Sequence, residues 1–210
     1  TLQEAWEERL GRTYYHFVYR DVLFLVLDTD DYSQQRLEEF ARLRLEAIEV
    51  AETQGWDAFY KTEYARMPEN YGGNISQEQS RYMLDALEQN PDVRWTFLIM
   101  HKAPWVIEDM KTFTDIEDAL TDRPYTVFNG HRHAYQYLQR KGRDYIRLAT
   151  TGGSQLPKNG RSMDQVVLVT VDDEGVDIAN LLMSGILDKT GHIPLDGHDV
   201  CFESTVCGEP

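Results

Sequence analysis

Val93-Arg94-Trp95-Thr96-Phe97-Leu98-Ile99-Met100-His101 is apolar at nearly every position, so neither face of an extended chain here suits water. Such a run is expected of a central parallel strand, buried on both sides, that ends at His101. Working outward, Val22 to Leu27 is another strand apolar on both faces. Thr13 to Tyr19 precedes it across Arg20-Asp21 and reads as its hairpin partner. Downstream, Tyr125 to Phe128 is a brief apolar strand that runs into Asn129-Gly130-His131-Arg132-His133.

Helical spacing fills the gaps. Leu37, Phe40, Ala41, Leu43, Leu45 and Ile48 recur between acids and arginines from Ser33 to Gln54, the pattern of a surface helix with one buried stripe. Ser76 and Gln79 form a capping box opening a helix that Asn90-Pro91 stops, and Thr114 with Glu117 repeats the pattern before a short helix. Residues 55–74 hold aromatic and turn-forming residues without a clear period and are expected to belong to an insertion or lid spanning about 30–75. Past Ala134 the period becomes two. Strands are expected at Ala134–Gln139, Tyr145–Ala149, Gln165–Val171 and Val176–Leu182, as an antiparallel meander. Helix-strand alternation followed by a meander implies an α/β fold with mixed sheets.

Composition bounds the partners. Among 210 residues, 36 Asp and Glu outweigh 21 Lys and Arg for a formal charge of -15, which disfavours nucleic acid as a bulk electrostatic partner. No apolar run approaches the roughly 20 residues that cross a bilayer. The first residues, Thr1-Leu2-Gln3-Glu4, carry neither an initiator Met nor signal-peptide features, so the chain is expected to begin partway through a longer protein, and localisation is open. Cys201 and Cys207 close one small loop or remain two thiols.

The chemistry-bearing residues cluster at strand ends. His101 ends one buried strand, and Gly130-His131-Arg132-His133 follows the next. Ligands bind at the carboxyl ends of strands in open α/β sheets. On an extended backbone His131 and His133 face one way and Arg132 the other, so two imidazoles converge and Arg132 is not assigned to a ligand. Gly130 suits a tight turn. Neutral imidazole is a donor for Zn, Fe or Mn; the plainer alternative is a strand-end histidine and two surface ones. His16 is expected to be structural or at the surface, His192 exposed, and Trp105 and Tyr135 either cleft-lining or core.

In order, these motifs resemble those of the calcineurin-like metallophosphoesterases, which include the purple acid phosphatases. The matching residues are His101, in Phe97-Leu98-Ile99-Met100-His101 followed by Pro104-Trp105, and Gly130-His131-Arg132-His133. Gly11 to Tyr15, Val22 to Asp28 and Thr150-Thr151-Gly152-Gly153 resemble the flanking segments. The resemblance covers residues 5–187 and implies the later portion of such a domain over 1–187, with a tail at 188–210. It implies a sandwich of mixed sheets flanked by helices. It further implies a dinuclear centre of Fe, Zn or Mn, with His101 and His131 on one metal and His133 on the other. Asn129, Gly130, Gly152 and Gly153 would support that centre, and the substrate would be a small phosphoester, hydrolysed by a metal-activated water.

The family's Asp-x-His, Gly-Asp and Gly-Asn-His motifs, which precede the Tyr14-Tyr15 strand, are absent. Gly72-Gly73-Asn74-Ile75 lacks the His, and Asp196-Gly197-His198 is taken as coincidence. The domain is therefore expected to lack its leading strands and bridging carboxylates, and no catalytic acid or base is assigned. Two imidazoles without a carboxylate hold a divalent ion weakly, so little hydrolysis is expected of the chain alone. The alternatives are a noncatalytic binding module, or one half of a split enzyme completed by an N-terminal segment from elsewhere.

Overall fold

The computed structural model describes residues 2–153 and 162–183 and consists of two compact units, residues 1–123 and 124–210. In the first unit, helix α1 (Leu2–Leu10) ends at Gly11, whose φ of 82° and amide bond to the Glu7 carbonyl close the helix with a left-handed residue. Strands β1 (Tyr15–Tyr19) and β2 (Val22–Val26) form the expected hairpin, with Tyr19 opposite Val22 across Arg20-Asp21. β2 then pairs in parallel with β3 (Trp95–Ile99), Phe24 opposite Phe97.

Helix α2 (Gln34–Gln54) begins where the Ser33 hydroxyl accepts from the Arg36 amide. It buries Leu43 and Ala47, but Leu45 points to solvent. The stretch without a sequence period folds into two single-turn helices, α3 (Trp56–Phe59) and α4 (Glu63–Arg66), and a 3-10 turn at Pro68–Asn70. Helix α5 (Gln77–Gln89) is capped by Ser76 as expected, and its stripe of Gln79, Ser80, Met83, Ala86 and Leu87 is buried. Gln79 does not turn back to complete the capping box. Its amide instead brackets Asp28, donating to the Asp28 carbonyl and accepting from the Asp28 amide. Helix α6 (Lys111–Ala119) starts three residues before the expected Thr114 cap. The Thr114 hydroxyl bonds back to the Met110 carbonyl, a local bond that serves inside a helix as readily as at its start.

The two faces of β1 to β3 differ. His16, Leu25 and Leu98 share one row, and His16 Nδ1 lies 2.8 Å from the Tyr82 hydroxyl on α5, so α5 covers that face. Leu23, Leu25 and Leu98 are fully buried there, each worth about 2 kcal/mol of transfer free energy. Tyr15, Phe17, Tyr19 and Ile99 on the other face are exposed, with Phe17 stacked on Phe24 at 4.6 Å.

In the second unit, β4 (Tyr125–Asn129) is buried at every position. It pairs in parallel with β6 (Arg143–Arg147), which pairs antiparallel with β5 (Gln136–Arg140). The expected meander is thus corrected in one respect: its strands pair antiparallel as two separate hairpins, β5 with β6 and two later strands with each other, and β6 also runs parallel to β4. Lys141 and Gly142, at φ 50° and 70°, make the tight turn between β5 and β6. Buried Tyr125 and Tyr145 meet edge to face, their hydroxyls 3.2 Å apart. β7 (Gln165–Val171) and β8 (Val176–Leu182) form a separate antiparallel hairpin. The chain is therefore α/β with mixed sheets flanked by helices. Among the described residues no helix is long and apolar enough to cross a membrane. The tail, with Cys201, Cys207, His192 and His198, lies outside the described residues.

Candidate functional site

His101 follows β3 in the first unit and is exposed. Its neighbour Lys102 is buried, and the Lys102 amide donates to the Thr29 hydroxyl at 2.8 Å, fixing the loop after β3 to the loop after β2. The chain returning from the 30–75 segment joins them. The Gly73 amide donates to the Ala103 carbonyl at 3.2 Å and the Asn74 amide to the Thr29 carbonyl at 2.9 Å. Gly73 is required for this approach, since a Cβ there would sit 2.6 Å from the Thr29 Cβ. Trp105 is half-buried with its ring 5.7 Å from Phe113, which favours the core reading over the cleft.

His131 and His133 lie in the second unit, in the bends between β4 and β5, and both are half-buried. The backbone is not extended here. His131 has φ 73° and His133 φ 51°, while Gly130 does not have positive φ. The Arg132 amide donates to the Gly130 carbonyl at 2.9 Å, which with the φ of His131 marks a classic γ-turn, a rare and strained conformation. Two expectations are thereby corrected. The tight turn falls on the histidines and not on Gly130, and the alternation of side chains that set Arg132 opposite the histidines does not apply to left-handed backbone. Strain of this kind persists only where the surroundings over-determine it, and it clusters at functional sites.

Those surroundings are visible. Asn129, 4% exposed, holds the end of β4, where its carbonyl accepts from the Leu148 amide at 2.7 Å and its side-chain amide donates to the Gly130 carbonyl at 3.3 Å. Gly153 brings the 150–153 loop against the His133 ring, a Cβ on it lying 3.6 Å from His133 Cε1. Asp164 organises that loop by accepting from the Thr150 hydroxyl at 2.7 Å and the Gly152 amide at 2.8 Å. The Thr150 hydroxyl in turn accepts from the Gly153 amide at 2.8 Å. Gly152 has φ 75°, where any side chain would be strained. Sequence reading missed Asp164, since no motif marks it. Arg147 donates to the Ala134 carbonyl at 2.8 Å, and burial together with the charge of Arg132 pushes its guanidinium pKa below the usual value.

Imidazole donors held on a strained loop fit a first-row metal in chemistry, though not in number. Among the described residues no group of three or more His, Cys, Asp or Glu side chains is gathered to hold a metal ion. Elsewhere, in the first unit, a polar cleft of about 420 Å³ is lined by Glu7, Arg12, Tyr14, Asp31, Ser76 and Glu78, with none of the candidate histidines. The Tyr14 hydroxyl donates to Glu78 there at 3.2 Å, and burial and that carboxylate raise its pKa.

No protein-family model matches the chain, and no curated protein does. Eight solved chains match. One, described as GAP50, the anchor in the inner membrane complex of Plasmodium, is 11% identical with a TM-score of 0.41, covering 86% of this chain. This chain spans 51% of the length of that structure. A likeness that loose carries no weight for function.

Proposed function

We propose that the chain carries the imidazole half of a metal-dependent phosphoesterase centre of the calcineurin-like type, on the sandwich fold of that family without its leading strands. The observation that carries this reading is the strained His131 to His133 turn at the end of fully buried β4, with Gly153 packed against the His133 ring. His131 and His133 would supply neutral ring nitrogens to Fe, Zn or Mn ions. The chemistry supplied there, were a divalent ion held, would be polarisation of phosphoryl oxygens and a water acidic enough to serve as nucleophile near neutral pH. The residues' own part is to present those nitrogens on a backbone that cannot relax, while Arg132 and Arg147 supply positive charge beside the loop for an anionic phosphoester. Carboxylates of the Asp-x-His, Gly-Asp and Gly-Asn-His motifs would be needed to close the metal shell.

Hydrolysis of an aryl phosphodiester by the purified 210-residue chain with added Mn²⁺ or Zn²⁺ is therefore expected to stay near background. Weak metal uptake is expected, lost in His131→Ala and His133→Ala. Robust turnover abolished by His131→Ala would overturn the half-site, and metal uptake indifferent to both substitutions would overturn the centre itself. A second reading, a noncatalytic interaction module, is favoured by the absence of a three-ligand group among the described residues. It predicts no uptake even after an N-terminal segment with the missing motifs is added, where the first reading predicts tight uptake and turnover.

A further inference from the structure

We propose that Lys102 is a positioning residue: it clamps the 30–75 segment onto the loop after β3 and so fixes the backbone that carries His101. Lys102 is 5% exposed, and lysine is almost never buried to that degree unless paired. Its ammonium donates to Asp30 Oδ1 at 2.5 Å and to the Glu69 carbonyl at 3.0 Å, and it lies 5.2 Å from the centre of the Phe40 ring. Those partners come from the start of the segment, from α2 and from the turn before its end. One side chain thus ties the entry, body and exit of the segment to a single point of the loop after β3.

The main chain around it is equally committed. Residues 29, 73, 74, 102 and 103 are joined by the amide bonds described above, and isolated bridges pair Asp30 with Asn74 and Gly72 with Ala103. The close approach of Gly73 to Thr29 leaves no space for a side chain at this position. A lid that opens would have to pull an ammonium away from a carboxylate, a carbonyl and an aromatic face together. The segment is accordingly a fixed wall rather than a gate. A consequence for metal binding rests on the reading of His101 as a ligand; the clamp does not.

Amide hydrogen exchange and histidine ring NMR on the full chain test the clamp. In Lys102→Met, protection of the Gly73 and Asn74 amides is expected to fall roughly tenfold or more, as expected when a local opening loses its main restraint. The His101 ring signal should shift or broaden. His16, bonded to Tyr82 of α5 and to none of the clamp residues, reports whether the unit is intact, and its signal should not move. Unchanged protection and an unchanged His101 signal beside an unchanged His16 signal overturn the proposal. If Lys102→Met does not fold, Asp30→Asn decides, by the same two readings: a loss of roughly threefold or more at Gly73 and Asn74 supports the clamp, and none overturns it. Zn²⁺ titration of the unsubstituted chain is read separately: no uptake removes the metal reading and leaves the exchange result standing.

Discussion

Two loops carry histidines away from the ends of buried strands, and they are held by opposite means. The loop after β3 has ordinary backbone at His101 and is fixed from outside, by Lys102, Thr29, Gly73 and Asn74. The loop after β4 is fixed from within, by a γ-turn centred on His131, followed by a second residue of positive φ at His133. A loop of the first kind owes its shape to partners far away in sequence and loses it when one is removed. A loop of the second kind stores unfavourable backbone conformation, and substitutions that relieve it are stabilising.

The largest expected effect lies in the externally held loop. Gly73→Ala drives a Cβ against the Thr29 Cβ and the Lys102 carbonyl, neither able to retreat cheaply, and should destabilise the first unit by about 3 kcal/mol in denaturant unfolding. Gly72→Ala meets Cγ1 and Cδ1 of Ile107 and Cγ2 of Val106, side-chain atoms and no main chain, and should cost less. Equal costs would show that these contacts do not hold the loop.

A difference in sign should separate the two loops. His131→Gly relieves a left-handed residue and should stabilise by about 1 kcal/mol, raising Tm by roughly 2–4 °C, while metal uptake falls. His101→Gly adds backbone freedom where no strain exists and should destabilise by about 0.5–1 kcal/mol. Calorimetry checks both, and destabilisation by His131→Gly would remove the stored strain from the account.

The smallest effect concerns acid. Burial pushes the Glu69 carboxyl up, but its bonds to the Arg36 guanidinium outweigh this and hold it below the usual carboxylate range. A depressed folded pKa stabilises above the unfolded value, and that stability is lost as pH falls through the ordinary carboxylate range to the folded pKa. For a partly exposed pair the contribution is below about 1 kcal/mol. Arg36→Gln should flatten the acid limb of a stability-against-pH curve while leaving neutral and alkaline pH little altered.

Much of the scaffold can be read from the chain because its signals are local. Arg20-Asp21 between aromatic runs, Ser76 before a buried stripe and the brief, largely apolar Tyr125 to Phe128 each act within a few residues. Helices α3 and α4 escape because four residues are too few to display a period. The left-handed turn at His131 escapes because it violates the preference of its own residue type. Lys102 escapes because burial of a lysine depends on Asp30 and Glu69, dozens of positions away, and Asp164 because no motif links it to Thr150 and Gly152. What the sequence hides is what tertiary context imposes against local preference, and the candidate site consists largely of such positions.

All four tryptophans, Trp6, Trp56, Trp95 and Trp105, precede residue 124 and belong to the first unit, whereas the second holds the buried Tyr125–Tyr145 pair. Indole emission during melting therefore reports on the half with the clamped loop and is blind to the half with the strained turn. The ring NMR signals of the tyrosine pair are the complementary reporter, and two transitions resolved by these two probes would time the unfolding of each half separately.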